Sequence, residues 1–326
     1  MKRFAHMLVA LLTIGALTAC SGGGSTPSGQ TPGTGTGTGT QPAPATEPAP
    51  APEKTLTLGL AISTLNNPFF VDLRDGAQAA ADAAGVKLVV MDAQDDPSKQ
   101  ISQVEDLITQ KVDALLINPT DSDAIVTAVE AANEANIPVF TVDRGANGGK
   151  VVAHIASDNV LGGRMAGELI VELIGGQGQV AELEGIPGAS AARDRGQGFH
   201  EAVDGVQGID VVASQPADFD RAKGLTVMEN ILQAHPDIVA VFAHNDEMAL
   251  GALEAIEAAG KADQIKVVGF DATDDAVKAV QEGRMAATVA QKPKEMGRLG
   301  VETALKHLNG EKVDEYIPVP LELVTK

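Results

Sequence analysis

Short apolar runs and helical patterns alternate along this chain, and that alternation restricts its fold more than any other feature. Candidate strands lie at 56–62, 87–91, 114–117, 139–142 and 151–155. A second series follows at 179–183, 210–213, 240–243, 266–270 and 287–290. Helical patterns separate them, among them 121–136, 161–174, 246–259 and 296–308. Strands so uniformly apolar are buried on both faces, so helices must cover a parallel sheet from both sides. Two series of strands imply two similar α/β domains, with the break near Ser157-Asp158-Asn159. The pattern at 296–308 and the tail at 317–324 are left over, and they can complete the first domain after the second is built. The chain then crosses between domains more than once. The expected fold is two doubly wound parallel-sheet domains joined by a hinge.

In such sheets, ligands bind outside the carboxyl ends of the strands. The first of these ends carries Ser63-Thr64-Leu65-Asn66-Asn67-Pro68-Phe69-Phe70, read as a loop before a helix that runs from Val71 and stops at Gly85. The loop sets amides and hydroxyls beside two aromatic rings. That mixture suits a small polyol, with hydroxyls round its edge and C–H bonds on its faces, but both Phe suit a core equally well. Other polar residues recur at the same place on other strands. Asn118 follows the third strand, and Asp143-Arg144 the fourth. In the second series come Asn245, Asp271 and Gln291. Taken singly, Asn245 and Asp271 read as helix caps, Asn118 as a turn residue before Pro119, and Asp143-Arg144 as a surface pair. Recurrence across both series favours one shared cleft. Arg195 lies in the glycine-bounded segment 185–198, where a solvated helix face is the alternative. Phe219 stands among acids in Pro216-Ala217-Asp218-Phe219-Asp220, a poor core position that suits a ligand-facing ring. Asp121 and Ser122 are expected to open the helix at 121–136, and Gly260 to close the one at 246–259.

The amino-terminal segment reads differently. A basic start, an apolar stretch at 7–17 and then Leu17-Thr18-Ala19-Cys20 form a secretory signal too short to span a membrane. The resemblance of this run to the lipobox of bacterial lipoproteins implies that residues 1–19 are removed, leaving Cys20 at the new end. Residues 20–54, rich in Gly, Thr, Pro and Ala, cannot build a core and are expected to be a disordered tether. Cys20 is the sole cysteine, so no internal disulfide forms.

Several classes of function find no support. The formal charge is -20 and no Lys/Arg cluster stands out, which argues against a nucleic-acid partner. The histidines are scattered without metal-ligand spacing, and the acidic 92–96 segment lacks the Gly and closing Glu of a calcium loop. No P-loop and no nucleophile–base arrangement is visible, and the glycines at 185–188 are too weak a signal for a phosphate cradle. Neither metal nor cofactor is expected, nor enzymatic activity.

Long stretches resemble the periplasmic sugar-binding proteins that serve bacterial ABC importers, their D-ribose receptors above all. They are the 63–70 segment, 115–123 (LLINPTDSD), 142–144, 154–163, 190–199, 214–221 and 245–253. The likeness runs from Thr55 to Lys326. It implies the type I periplasmic-binding-protein fold, with lobes of 55–157 plus 292–320 and 158–291 plus 321–326. It also implies a ligand set of Asn67, Phe69, Phe70, Asn118, Asp143 and Arg144 from one lobe, and Arg195, Phe219, Asn245, Asp271 and Gln291 from the other. Ser63 is a matching neighbour. Carboxylates would accept from adjacent sugar hydroxyls, Arg would donate to oxygens, and Phe70 and Phe219 would sandwich the ring. The expected partners are D-ribose, a membrane ABC permease and, through a lipid on Cys20, the outer face of the membrane. The Leu-Thr-Ala-Cys run resembles the lipobox of bacterial lipoproteins, and the receptor is expected to be a monomer. Alternatives are allose, galactose or a furanose signal as ligand. A repressor's effector domain shares the fold, but a signal and tether stand where its DNA-binding helices would be. A secreted enzyme would need a poised acid–base pair.

Overall fold

The computed structural model describes residues 55–326. The expected signal segment, Cys20 and the tether lie outside the described residues. The first series comprises β1 (Thr57–Ile62), α1 (Pro68–Ala84), β2 (Lys87–Asp92), α2 (Pro97–Thr109), β3 (Ala114–Ile117), α3 (Val126–Glu134), β4 (Val139–Val142) and β5 (Ala153–Ala156). The second comprises α4 (Asn159–Leu173), β6 (Gly178–Glu184), α5 (Ser190–Val203), β7 (Ile209–Pro216), α6 (Arg221–Ala234), β8 (Ile238–Ala243), α7 (Asp246–Ala258), β9 (Lys266–Asp271), α8 (Asp274–Glu282) and β10 (Ala287–Ala290). Last come α9 (Pro293–Leu308), β11 (Tyr316–Pro318) and β12 (Glu322–Thr325).

The strands form two six-stranded sheets of matching order, β11-β5-β4-β3-β1-β2 and β12-β10-β9-β8-β6-β7. All pairings are parallel except β10 with β12. In each sheet the first strand pairs with both the second and the third, so the winding direction reverses there. That reversal opens a crevice at the carboxyl ends, where ligands bind in doubly wound sheets. This is the periplasmic-binding-protein type I architecture anticipated above.

Each sheet is covered on both faces. Leu58, Leu60 and Ile62 of β1 enter one core, and Ala61 enters the core on the other side. In β8, Val241 and Ala243 face one way and Ala240 and Phe242 the other. The period of two therefore runs through a continuously apolar strand.

The chain passes between the sheets after β5, after β10 and after β11. Helix α9 packs against α1 beside the first sheet, and β11 joins that sheet. The leftover tail is thus shared, because β12 returns to the second sheet.

Two local expectations are corrected. Pro68, Phe69 and Phe70 are the first turn of α1 rather than loop, because Asn67 caps the helix and Pro68 has no amide to lose there. Asp121 and Ser122 do not open α3. The Asp121 carboxylate takes the amides of Asp123 and Ala124 in a separate turn, and the helix begins at Val126.

Candidate functional site

The loops beyond β1 and β4 meet those beyond β6, β7, β8, β9 and β10 around a small, tightly closed cavity of about 10 Å³. It is lined by Asn67, Phe69, Phe70, Asp143, Arg144, Ala191, Arg195, Phe219, Asn245, Asp271 and Gln291. Every expected ligand residue but one is on this wall. The exception, Asn118, stands one layer behind.

Asn118 fixes the first half of the site. Its side-chain oxygen accepts from the Ser63 hydroxyl at 2.7 Å and the Ser63 amide at 3.2 Å. Its amide donates to the Val142 carbonyl at 3.0 Å and to Asp143 Oδ2 at 3.2 Å. Asp143 needs this support, since its φ of +65° is unusual for a residue with a side chain. Buried Gln100 holds the adjoining loop from below, donating to the Asn118 carbonyl and accepting from the Thr120 amide, both at 2.8 Å. The Arg144 guanidinium lies 4.9 Å from the Phe70 ring centre and 5.0 Å from that of Phe219, with Phe69 set edge-on against Phe70. Phe69 and Phe70 belong to the core and to the cavity wall at once.

The second half is built around Arg195. On α5 it is not on a solvated face but buried, with Nε bonded to Asn159 Oδ1 at 2.8 Å and Nη1 to the His244 carbonyl at 2.6 Å. Its guanidinium covers the Phe270 ring at 3.8 Å and stands 3.8 Å from Asp271 Oδ1. Asp271 has φ of +116°, and Gln291 donates to its Oδ1 at 2.9 Å. Behind it, buried Asp246 accepts from the Thr273 amide at 2.8 Å and the Thr288 hydroxyl at 2.7 Å, which clamps the turn that aims Asp271. Asn245 serves twice. Its oxygen caps α7 through the Met248 amide, while its amide reaches the Phe219 carbonyl. Phe219 also has positive φ, +61°. A Cβ on Gly185 would come within 2.0 Å of its ring, so only glycine lets the ring close on the backbone there.

Two carboxylates and two guanidiniums are thus enclosed together, and Asp143, Arg144 and Arg195 are each at most 3% exposed. Burial pushes both aspartates up, Asp271 to about 7, against the pull of Arg195 and the bond from Gln291. Burial likewise lowers both arginines, and the aspartates oppose it. Three buried polar atoms of wall residues have no hydrogen-bond partner: Asp143 Oδ1, Arg144 Nε, which lies 3.8 Å from Asp143 Oδ2, and Gln291 Oε1. Buried polar groups are almost always bonded, so two acceptors and a donor left over on residues of one cavity wall suit a ligand that carries both functions. Aromatic faces with charged edges suit a polyhydroxylated ring. Among the described residues, no group of His, Cys, Asp and Glu is placed to hold a metal.

Ala191, Asn159, Gln100 and Asp246 were not anticipated. Asn159 lies within the 154–163 stretch noted above, but nothing in that stretch shows that it braces an arginine on another helix.

A periplasmic binding protein domain model matches residues 58–312. The ribose import binding protein RbsB of Escherichia coli is 59% identical over 267 residues, which covers 82% of this chain and 90% of that protein. RbsB of Bacillus subtilis is 58% identical over 268 residues, covering 82% and 87%. Among solved structures, a solute-binding protein from Actinobacillus succinogenes with bound D-allose superposes with a TM-score of 0.79 at 34% identity, covering 83% of this chain and 98% of that one. The chain therefore belongs to the periplasmic binding protein family.

Proposed function

We propose that this protein is an extracytoplasmic receptor that captures D-ribose between two lobes and delivers it to an ABC importer. The observation that carries the reading is the composition of the cavity wall. Arg144, Arg195, Asp143 and Asp271 supply charged donors and acceptors from both sheets, and Phe70 and Phe219 supply apolar faces. Charge-assisted bonds to sugar hydroxyls are about twice as strong as neutral ones. A site that bonds each hydroxyl rejects an analogue lacking one, because a buried partner is left unsatisfied. The high identity to RbsB proteins supports ribose among the monosaccharides.

The lobes would comprise 55–157 with 292–320 and 158–291 with 321–326, and would close as a hinge over the three crossings. Ligand residues divided between two lobes make the sugar favour the closed form, by no more than its difference in affinity for the two forms. Closed and open receptors present different surfaces to a permease. We further propose that Cys20 carries a lipid that holds a monomeric receptor to the outer face of the membrane.

The D-allose found in the Actinobacillus structure favours a second reading, a receptor for another monosaccharide. Calorimetric titration with a panel of pentoses and hexoses decides between them. D-ribose should bind most tightly. Heat from a hexose and none from D-ribose refutes the ribose assignment and keeps the receptor class.

A further inference from the structure

Beside the cavity, a second set of contacts joins the two sheets, and none of its residues lines the cavity. Beyond β3, the Ser122 amide donates to the Gly188 carbonyl at 2.9 Å. Beyond β4, the Gly145 amide donates to the Ser190 hydroxyl oxygen at 2.9 Å. Ser190 is the first residue of α5, whose N-cap is Ala189, and its hydroxyl oxygen accepts across the seam. Arg193 donates to the Gly188 carbonyl at 3.1 Å and reaches Asn147 Oδ1 at 3.4 Å. The two receiving loops form one platform. The Asn147 amide donates to the Ser122 carbonyl at 2.8 Å, and its side chain donates to Asp123 at 2.6 Å.

The fit at Gly188 is tight. A Cβ there would lie 2.0 Å from Asp121 Oδ2 and 2.7 Å from its Cγ. That carboxylate is not free to swing away, because Oδ1 holds the amides of Asp123 and Ala124 at 2.9 and 2.8 Å.

We propose that this seam is a latch, and that Gly188 and Ser190 set sugar affinity through contacts made only when the lobes close. The proposal rests on the hinge reading above. Apparent affinity scales with the fraction of protein in the competent state, so bonds that hold the closed form tighten binding without touching the ligand. Removing one neutral bond should weaken binding about two- to tenfold. Forcing a methyl group into the seam should weaken it roughly tenfold or more.

The test is D-ribose calorimetry on the wild type, Ser190→Ala, Ser190→Thr, Gly188→Ala and Gly188→Ala with Asp121→Ala, beside X-ray scattering of each with and without sugar. Ser190→Ala should lose affinity and Ser190→Thr should keep it. Asp121→Ala should return part of what Gly188→Ala loses. The sugar-free melting temperature of Gly188→Ala should match the wild type, because the open form lacks the contact. Wild-type affinity in Ser190→Ala and in Gly188→Ala, with a wild type that compacts on binding, overturns the latch alone. A wild type that binds D-ribose without compacting overturns the hinge reading and the latch with it. Should Gly188→Ala fail to fold, its part in the latch is refuted, and the Ser190 pair decides the rest.

Discussion

The Asn118 amide donates to the Asp143 carboxylate at 3.2 Å while the Asn118 oxygen accepts from Ser63, so one buried side chain ties β1, β3 and β4 together behind the cavity. Asn118→Asp keeps the acceptor for Ser63 and removes the donor to Asp143. It also sets a second carboxylate against the first, where like charges disfavour each other's ionised form. D-ribose affinity should fall by at least tenfold. Stability to urea should fall by about 1–3 kcal/mol, the usual cost of leaving a buried polar group unsatisfied. Wild-type affinity in this variant would show that Asn118 does not position Asp143.

Asp143 and Asp271 approach the cavity from different sheets. Asp143→Ala and Asp271→Ala should each cost about 2–4 kcal/mol of binding, since each removes charge-assisted bonds and strands a buried arginine. Calorimetry checks both. A variant that binds D-ribose like the wild type removes that aspartate from the ligand set.

Much of this arrangement is legible in the residues, for a physical reason. Strands buried on both faces, such as β1 and β8, must be continuously apolar, so their carboxyl ends are marked by the first polar side chain. Ser63, Asn118, Asp143 and Asp271 are found by that rule, and Asn245 stands one residue further on, after His244. The rule is silent on which way each side chain turns. The positive φ of Asp143, Phe219 and Asp271 decides that, and it follows from what clamps them: Asn118, Asn245 and the Asp246–Thr288 pair. For Arg195 the residues alone leave a solvated face open, because its burial comes from neighbours far along the chain, Asn159, His244 and Phe270. Asp121 misleads because a carboxylate that takes two successive amides can close a turn as readily as open a helix.

Cys20 provides a prediction outside the described residues. In a bacterial host, Cys20→Ala should stop acylation and leave the product unprocessed or shed. Mass spectrometry of the membrane fraction reads both. Stable attachment takes more than one acyl chain, and bacterial lipoproteins carry several, so the unmutated protein should remain with membranes. An unmutated protein found wholly soluble and without lipid sinks the anchor.

Asp271 should make the proposed closure sensitive to pH. With the lobes together its carboxyl is pushed from the ordinary 3.8 up to about 7 by burial, with Arg195 and Gln291 opposing. With the lobes apart, water reaches the group and its pKa returns toward the ordinary value. Between the two values the closed form therefore binds more protons than the open one. Lowering the pH from 8 to 5 should shift sugar-free protein toward closure, with Asp271 contributing at most about a hundredfold in the equilibrium constant, and raising it should reverse the shift. Burial raises Asp143 as well, so its contribution has the same sign. Asp271→Asn removes its part of the step. With saturating D-ribose the dependence should flatten, because hydroxyls donated to Asp271 favour its ionised form. A donor–acceptor dye pair across the cleft, one dye on each lobe, measures the closed fraction. Closure that grows with rising pH, or an equal step in Asp271→Asn, would show that this carboxyl does not govern the equilibrium.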